Sequence, residues 1–260
     1  MNGLRWLALA PLALVASPAA AAGVEIISYF GLILGGLGMD YQQKDEWKPV
    51  LGALLTTILV VSLGLYYKKT VEKNNDAAPL KGVSLGSVLD MILEFVHNLG
   101  KGIIGDKECR PYLSTLFALF IFIYLSNLTG LVPGFTPATE SLNTNLVLGL
   151  FSFGVFNMAG IREHGIGGYL KSYCGPLLVM APLIFMIEII GALARPLSLA
   201  LRLYGNIFGD HLVLAVFTGL TYLLLPALLL FFGLLVASIQ SFVFTLLSSI
   251  YISLAISHDH

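Results

Sequence analysis

A chain of 260 residues with 57% hydrophobic and 11% charged side chains has too little polar surface to cover a water-soluble globule, and its mean hydropathy of +0.87 points to an integral membrane protein. A net charge of −1 with no basic block excludes a nucleic-acid partner, because nothing is present to release counterions from a phosphate backbone. Cys109 and Cys174, without a CxxC or a histidine pairing, indicate neither a metal site nor a disulfide framework, and both are expected to pack near the membrane borders.

The N-terminus reads as a signal peptide over residues 1–22: a basic start, an apolar run from Trp6 to Ala16, and a small-residue tract of the A-x-A kind. That run is too short to cross ~30 Å of hydrocarbon. Residues 23–48 form a glycine-rich and then polar segment, expected on the outer side. A single membrane domain follows over 49–260.

Its first predicted span is 49–67, closed by Lys68-Lys69 and a polar linker. Ser84 to Leu99 places Leu85, Val88, Leu89, Ile92, Phe95, Val96 and Leu99 at helical spacing, as an amphipathic interfacial helix does, with Glu94 and His97 expected on its solvated face. Spans follow at 111–132, which holds Asn127, and at 142–160, which ends at Arg162-Glu163-His164. Two apolar tracts then exceed the membrane thickness: 176–221 is ~65 Å if fully helical and 226–256 is ~45 Å. Such helices stay in hydrocarbon by strong tilt, by a kink at Pro182 or Pro196, or by lying nearly along the membrane plane, and they are predicted as a strongly tilted antiparallel hairpin. The fold class expected is therefore all-α, with about five transmembrane helices and one amphipathic helix.

Nine of the fourteen basic residues fall in the loops 68–110 and 162–171, which places those loops in the cytoplasm, the N-terminus outside and the C-terminus inside. The C-terminal His258-Asp259-His260 is expected as a solvated tail.

Polar groups in the fourth span demand an account, because an ionisable side chain at bilayer depth costs at least a few kcal/mol. Glu188, Arg195 and Arg202 recur at intervals of seven, so on an ideal helix they share a face, which Ser198 and Asn206 widen. Arg195 is expected to snorkel to the cytoplasmic surface and pair with Glu188. Arg202 lies ~20 Å further along than Glu188 and ~13 Å before His211, with no obvious carboxylate on this chain. Its guanidinium stays protonated and must meet an anion or a wet cavity, from another span or from another subunit. His211, beside Asp210, faces the opposite side as a structural hydrogen-bonder or a proton relay. An antiparallel hairpin with Arg202 opposite Gln240 would bring Gly233 near His211.

The run Pro196-Leu-Ser-Leu-Ala-Leu-Arg202-Leu-Tyr-Gly-Asn206-Ile-Phe-Gly-Asp-His211, with Ile239-Gln240-Ser-Phe-Val-Phe and Ile250-Tyr251-Ile-Ser-Leu-Ala255, resembles subunit a of the F-type ATP synthases. Asn127 with Gly130-Leu-Val-Pro133 is similar to that family's second-span ending, and the resemblance runs from Trp47 onward. It implies a membrane stator subunit of the F0 sector, without catalysis of its own and without a cofactor or metal. The implied partners are the ring of c subunits, the peripheral-stalk b subunits and the rest of the F0F1 complex, in a bacterial inner membrane.

Carried over by position, Arg202 matches the arginine that faces the ring carboxylate. Asn206, His211 and Gln240 match polar positions of the outer half-channel, and Glu188 an acidic position toward the cytoplasmic half-channel. Asp210, Ser198 and Glu140 complete the expected proton path. This chain departs from the pattern in having Gly130 where some relatives are acidic, Ser141 beside Glu140 at another acidic position, and Gly233 where some relatives carry a histidine. The transported ion is expected to be the proton, with sodium as an alternative and a stand-alone ion-coupled transporter as a second one.

Overall fold

The computed structural model describes residues 29–30, 34, 41–74, 84–132, 134–172, 181–220 and 224–257. The expected signal peptide, Cys174 and the histidine tail lie outside them. Six helices follow in chain order: α1 Tyr41–Asn74, α2 Leu85–Ile104, α3 Arg110–Leu131, α4 Leu142–Ser172, α5 Ala181–Leu220 and α6 Leu224–Ile256, with a 3-10 turn Ala138–Glu140 between α3 and α4. Five of them are long and apolar enough to cross a membrane, over Trp47–Glu72, Arg110–Leu131, Leu142–Tyr169, Leu183–Leu214 and Leu228–Ile256. The chain is an all-α integral membrane protein.

The apolar pattern placed the spans correctly and their ends less so. α1 begins before the predicted span and runs on past Lys68-Lys69, where Lys68 pairs with Glu72 one turn later. Hydropathy marks the apolar part of a helix, whereas good helix formers in the polar flanks extend it. α4 continues past Arg162, but Gly165 takes φ 70°, a conformation that breaks the helix there. Tyr169 then turns back and donates a hydrogen bond to Asn157 Oδ1 at 3.0 Å.

α2 is the predicted amphipathic helix. Ser84 caps it by accepting from the Ser87 N–H, and it buries Leu89, Val96, Gly100 and Ile104 while Glu94 stays exposed. Tyr67 on α1 donates to Asp90 Oδ1 at 2.5 Å and ties the two helices together. Cys109, at the α2–α3 turn, is buried against Gly100; burial pushes its thiol up, as suits a packing residue.

The solvent inverts the usual helix pattern. On α6, Gln240, Ser241, Thr245, Ser248 and Ser249 are buried, while Phe231, Phe232, Leu235 and Ile239 face outward. In lipid an outward Leu costs nothing, and an outward hydroxyl finds a partner only on its own helix, as Ser238 does by donating to the Leu234 carbonyl at 2.9 Å. Ser241, Thr245 and Ser249 return their protons to carbonyls one turn back, and Ser248 instead meets Ser152 of α4 at 2.8 Å. α3 packs centrally. One buried cluster joins it to α2, α4 and α6 through Val96, Leu116, Phe120, Phe156 and Ile252; a second joins it to α5 and α6 through Leu119, Ile123, Leu203 and Phe244.

α5 has 40 residues and α6 has 33, or ~60 and ~50 Å at the helical rise, so neither fits upright across ~30 Å of hydrocarbon. They lie antiparallel against each other. α4 crosses α5 closely: a Cβ on Gly149 would stand 2.5 Å from the Pro196 carbonyl oxygen. Gly149→Ala is expected to destabilise the protein by about 1–3 kcal/mol, read as a lower unfolding midpoint in detergent. Gly154→Ala, on the same helix with nothing within 4 Å, is expected to show no loss.

Candidate functional site

α5 carries its buried stripe on Leu199, Leu203 and Ile207, spaced by one turn and packed on α3 and α6. Arg202 is next to that stripe but outside it, and its side chain is exposed. Among the described residues no carboxylate stands within ion-pair distance of it. Glu188 and Ser198 are exposed on the same helix.

The surroundings of Arg202 reveal a feature that the sequence analysis missed. Gly191, Ala194, Ser198, Gly205 and Gly209 fall with Arg202 within an arc of roughly 80° on an ideal helix. A Cβ on Gly191, Gly205 or Gly209 would meet nothing within 4 Å. Between Gly191 and Gly209, Arg202 is thus the one large side chain on this track, flanked by Leu197 and Leu201, each 48% exposed. Small residues at three- and four-residue spacing around the arginine were the available signal.

Arg195 is not on that face, contrary to expectation. Its guanidinium turns inward, 5.4 Å from the Tyr251 ring centroid and 6.0 Å from that of Phe156, and it makes no pair with Glu188. The seven-residue spacing places Cα atoms on a face, and α5 runs continuously through Pro196, so it is the long side chain of Arg195 and not the helix that leaves the face. Two ring faces within reach of a long side chain then replace the trip to the surface.

A cavity whose wall is mostly apolar, with a few polar groups in it, occupies the side of α5 that faces α3 and α6. It is lined by Asn127 and Gly130 of α3, Asn206, Asp210 and His211 of α5, and Gly233 and Gln240 of α6. About 30 Å³ of it is open to the centre of a water molecule, enough for about two waters. Asn206 Nδ2 donates to Gln240 Oε1 at 2.6 Å, and Gln240 is 3% exposed. Gln240 therefore meets Asn206 and not Arg202, one turn from the expected register, while Gly233 and His211 do share the cavity. The shift follows from shape: paired amides match donor to acceptor, whereas Arg202 points away.

His211 Nδ1 lies 3.6 Å from Glu140 Oε1, an ion pair when the imidazole is protonated. Glu140 is delivered by the 3-10 turn, whose Ala138 and Thr139 are buried beneath it. The glycines at the unusual positions make room. A Cβ at Gly130 would stand 2.8 Å from Pro137 Cγ, and one at Gly233 would stand 2.7 Å from Leu131 Cδ2. The space an acidic side chain at position 130 would need is filled by the turn that carries Glu140.

Thr139 also organises a knot that sequence reasoning did not foresee. Its hydroxyl donates to Asn127 Oδ1 at 2.8 Å and lies 3.3 Å from Ser126 Oγ, and its carbonyl accepts from Asn145 Nδ2 at 2.8 Å. Asn127 Nδ2 and Asn145 Oδ1 have no hydrogen-bond partner among the described residues. A buried amide left so is costly, at about 1–3 kcal/mol, and a water in the adjoining cavity would relieve Asn127. Thr139→Val strips Asn127 of its last bond. It is expected to lower stability by about 1–3 kcal/mol in detergent unfolding, with Thr139→Ser close to the parent.

Residues 50–253 match the family model described as ATP synthase A chain. The ATP synthase subunit a of Bdellovibrio bacteriovorus is 38% identical over 229 residues, which cover 88% of this chain and 97% of that relative. ATP synthase subunit a 1 of Syntrophotalea carbinolica is 48% identical over 176 residues, 68% of this chain and 74% of the relative. ATP synthase subunit a of Geobacter sulfurreducens is 41% identical over 183 residues, 70% and 79% of the respective chains.

Proposed function

The chain belongs to the ATP synthase A chain family, the a subunits of ATP synthases, and from that membership we propose that it forms two offset proton half-channels against a rotating ring of c subunits. It is a multi-pass membrane component of the synthase, and in this reading it catalyses no bond chemistry itself. The observation that carries the reading is Arg202: a permanent cation inside a membrane span, exposed on a track of small residues, with no carboxylate within ion-pair distance among the described residues. A charge so placed calls for an anion on a helix that can approach closely. A ring carboxylate is such an anion, and it is exchangeable as the ring turns.

The proton path follows from depth. A proton arrives from the outer side at Glu140 and His211, passes the Asn206–Gln240 pair, and neutralises a ring carboxylate, which then enters lipid without the cost of a charge. Asp210 lines the same cavity and adds a second acceptor. After nearly a full turn the carboxylate meets the side of Glu188 and Ser198, releases its proton to the cytoplasm, and is held ionised by Arg202. His211 and Glu188 stand ~13 and ~20 Å to either side of Arg202 along α5, so no continuous wire joins them. The membrane potential supplies ~2.3 kcal/mol per charge per 100 mV, which drives the rotation.

The remaining placement follows from the same reading. Peripheral-stalk b subunits hold the chain as a stator in a bacterial inner membrane, with the N-terminus outside and the C-terminus in the cytoplasm, on the distribution of lysine and arginine.

The test uses the whole synthase reconstituted in vesicles, with Arg202→Ala compared with the parent across a range of sodium concentrations. ATP synthesis driven by a proton gradient is expected to fall to the level of vesicles lacking a gradient, with no dependence of the parent on sodium. Coupled synthesis in Arg202→Ala would end the gate, and parent synthesis that requires sodium would change the ion.

A further inference from the structure

Arg195 is the second intramembrane cation, and the path described above makes no use of it. It is half-buried, and among the described residues no acid or hydrogen-bond acceptor engages its guanidinium. Its partners are rings: Tyr251 of α6 at 5.4 Å and Phe156 of α4 at 6.0 Å. Those rings stand 5.8 Å apart at 55°, and Phe153 meets Phe156 edge-on at 5.1 Å. Phe156 is 1% exposed, so the cation rests on an aromatic face that water does not reach. Such contacts strengthen on desolvation and correspond to a factor of roughly 5–30 in an equilibrium.

The location matters more than the strength. Arg195, Phe156 and Tyr251 come from three different helices, and the contact sits beside Pro196, which lies inside the continuous helix α5 and lacks a ladder N–H. Around it α4 is already pinned to both neighbours, by Gly149 under the Pro196 carbonyl and by the Ser152–Ser248 pair. Helices bend and turn at proline, so α5 needs something to fix its rotation at this point. Arg202 lies two turns beyond, and any twist of α5 where Pro196 leaves a ladder bond unmade would swing its guanidinium off the small-residue track.

We propose that Arg195 is a positioning residue, clasped between the Phe156 and Tyr251 rings so that α5 keeps its rotation at Pro196 and Arg202 faces outward. The inference rests on the reading of Arg202 as the gate. It requires a cation and two π faces, so lysine can replace the arginine and phenylalanine the tyrosine, whereas methionine and leucine fill the space without the attraction.

The experiment measures proton-driven ATP synthesis and passive proton leak per assembled synthase in vesicles, for Arg195→Lys, Arg195→Met, Tyr251→Phe, Tyr251→Leu and Arg195→Met with Tyr251→Leu. The two conservative variants are expected to stay within about twofold of the parent. Arg195→Met and Tyr251→Leu are each expected to lose about fivefold or more in synthesis and to leak more, with the double variant no worse than either single one. Should Arg195→Met fail to assemble, the Tyr251→Leu and Tyr251→Phe pair decides the question alone. Arg195→Met working as well as Arg195→Lys, Tyr251→Leu as well as Tyr251→Phe, or losses that multiply in the double variant, would overturn the clasp. Arg202→Ala in the same preparation keeps the two readings apart: its survival removes the gate, while its failure beside a working Arg195→Met removes only the clasp.

Discussion

A guanidinium cannot give up its proton in hydrocarbon, and the arrangement of the C-terminal half of this chain follows from having to accommodate two of them on one helix. Arg195 and Arg202 meet the same cost in opposite ways. The first turns inward over Phe156 and Tyr251, where ring faces stand in for an anion. The second is turned out, onto a surface of glycine, alanine and serine with no acid in reach among the described residues. A helix that hid both would have no reason to keep either.

The outward cation has a counterpart on the other face of α5. Asn206 and Gln240 join the two long helices, His211 and Glu140 face each other at 3.6 Å, and the Thr139 knot fixes the turn that delivers Glu140. One face is therefore smooth and cationic, and the other gathers His211, Asp210 and the Asn206–Gln240 pair around a small cavity. The length of α5, ~60 Å, lets both features and the exposed Glu188 sit at different depths of a single element. An upright helix of ordinary length would superpose them.

Much of this was legible in the sequence. Hydropathy located five spans, heptad arithmetic marked Arg202, and tract length alone required long inclined helices. The failures share a cause. Arg195 escaped the face assigned to it because spacing places the backbone and not the end of a long side chain, which reaches the Phe156 and Tyr251 rings. The Gln240 register was off by one turn because hairpin pairing depends on which amides meet, and spacing does not encode that. Thr139 was overlooked because a threonine in a turn carries no mark until Asn127 and Asn145 are brought to it by folding. Gly130 and Gly233 were visible as departures, but only the structure shows the Pro137 ring against the first and the movable end of Leu131 against the second.

The central claim is that the small-residue face of α5 carrying Arg202 is the face the rotor passes. Disulfide cross-linking in the assembled synthase, between single cysteines on α5 and one beside the carboxylate of the c subunit, tests it without relying on proton flux. Cysteines replacing Ser198, Gly205 and Gly209 are predicted to cross-link, and cysteines replacing the buried Leu199, Leu203 and Ile207 are not. Cross-links from the second set and none from the first would contradict the account.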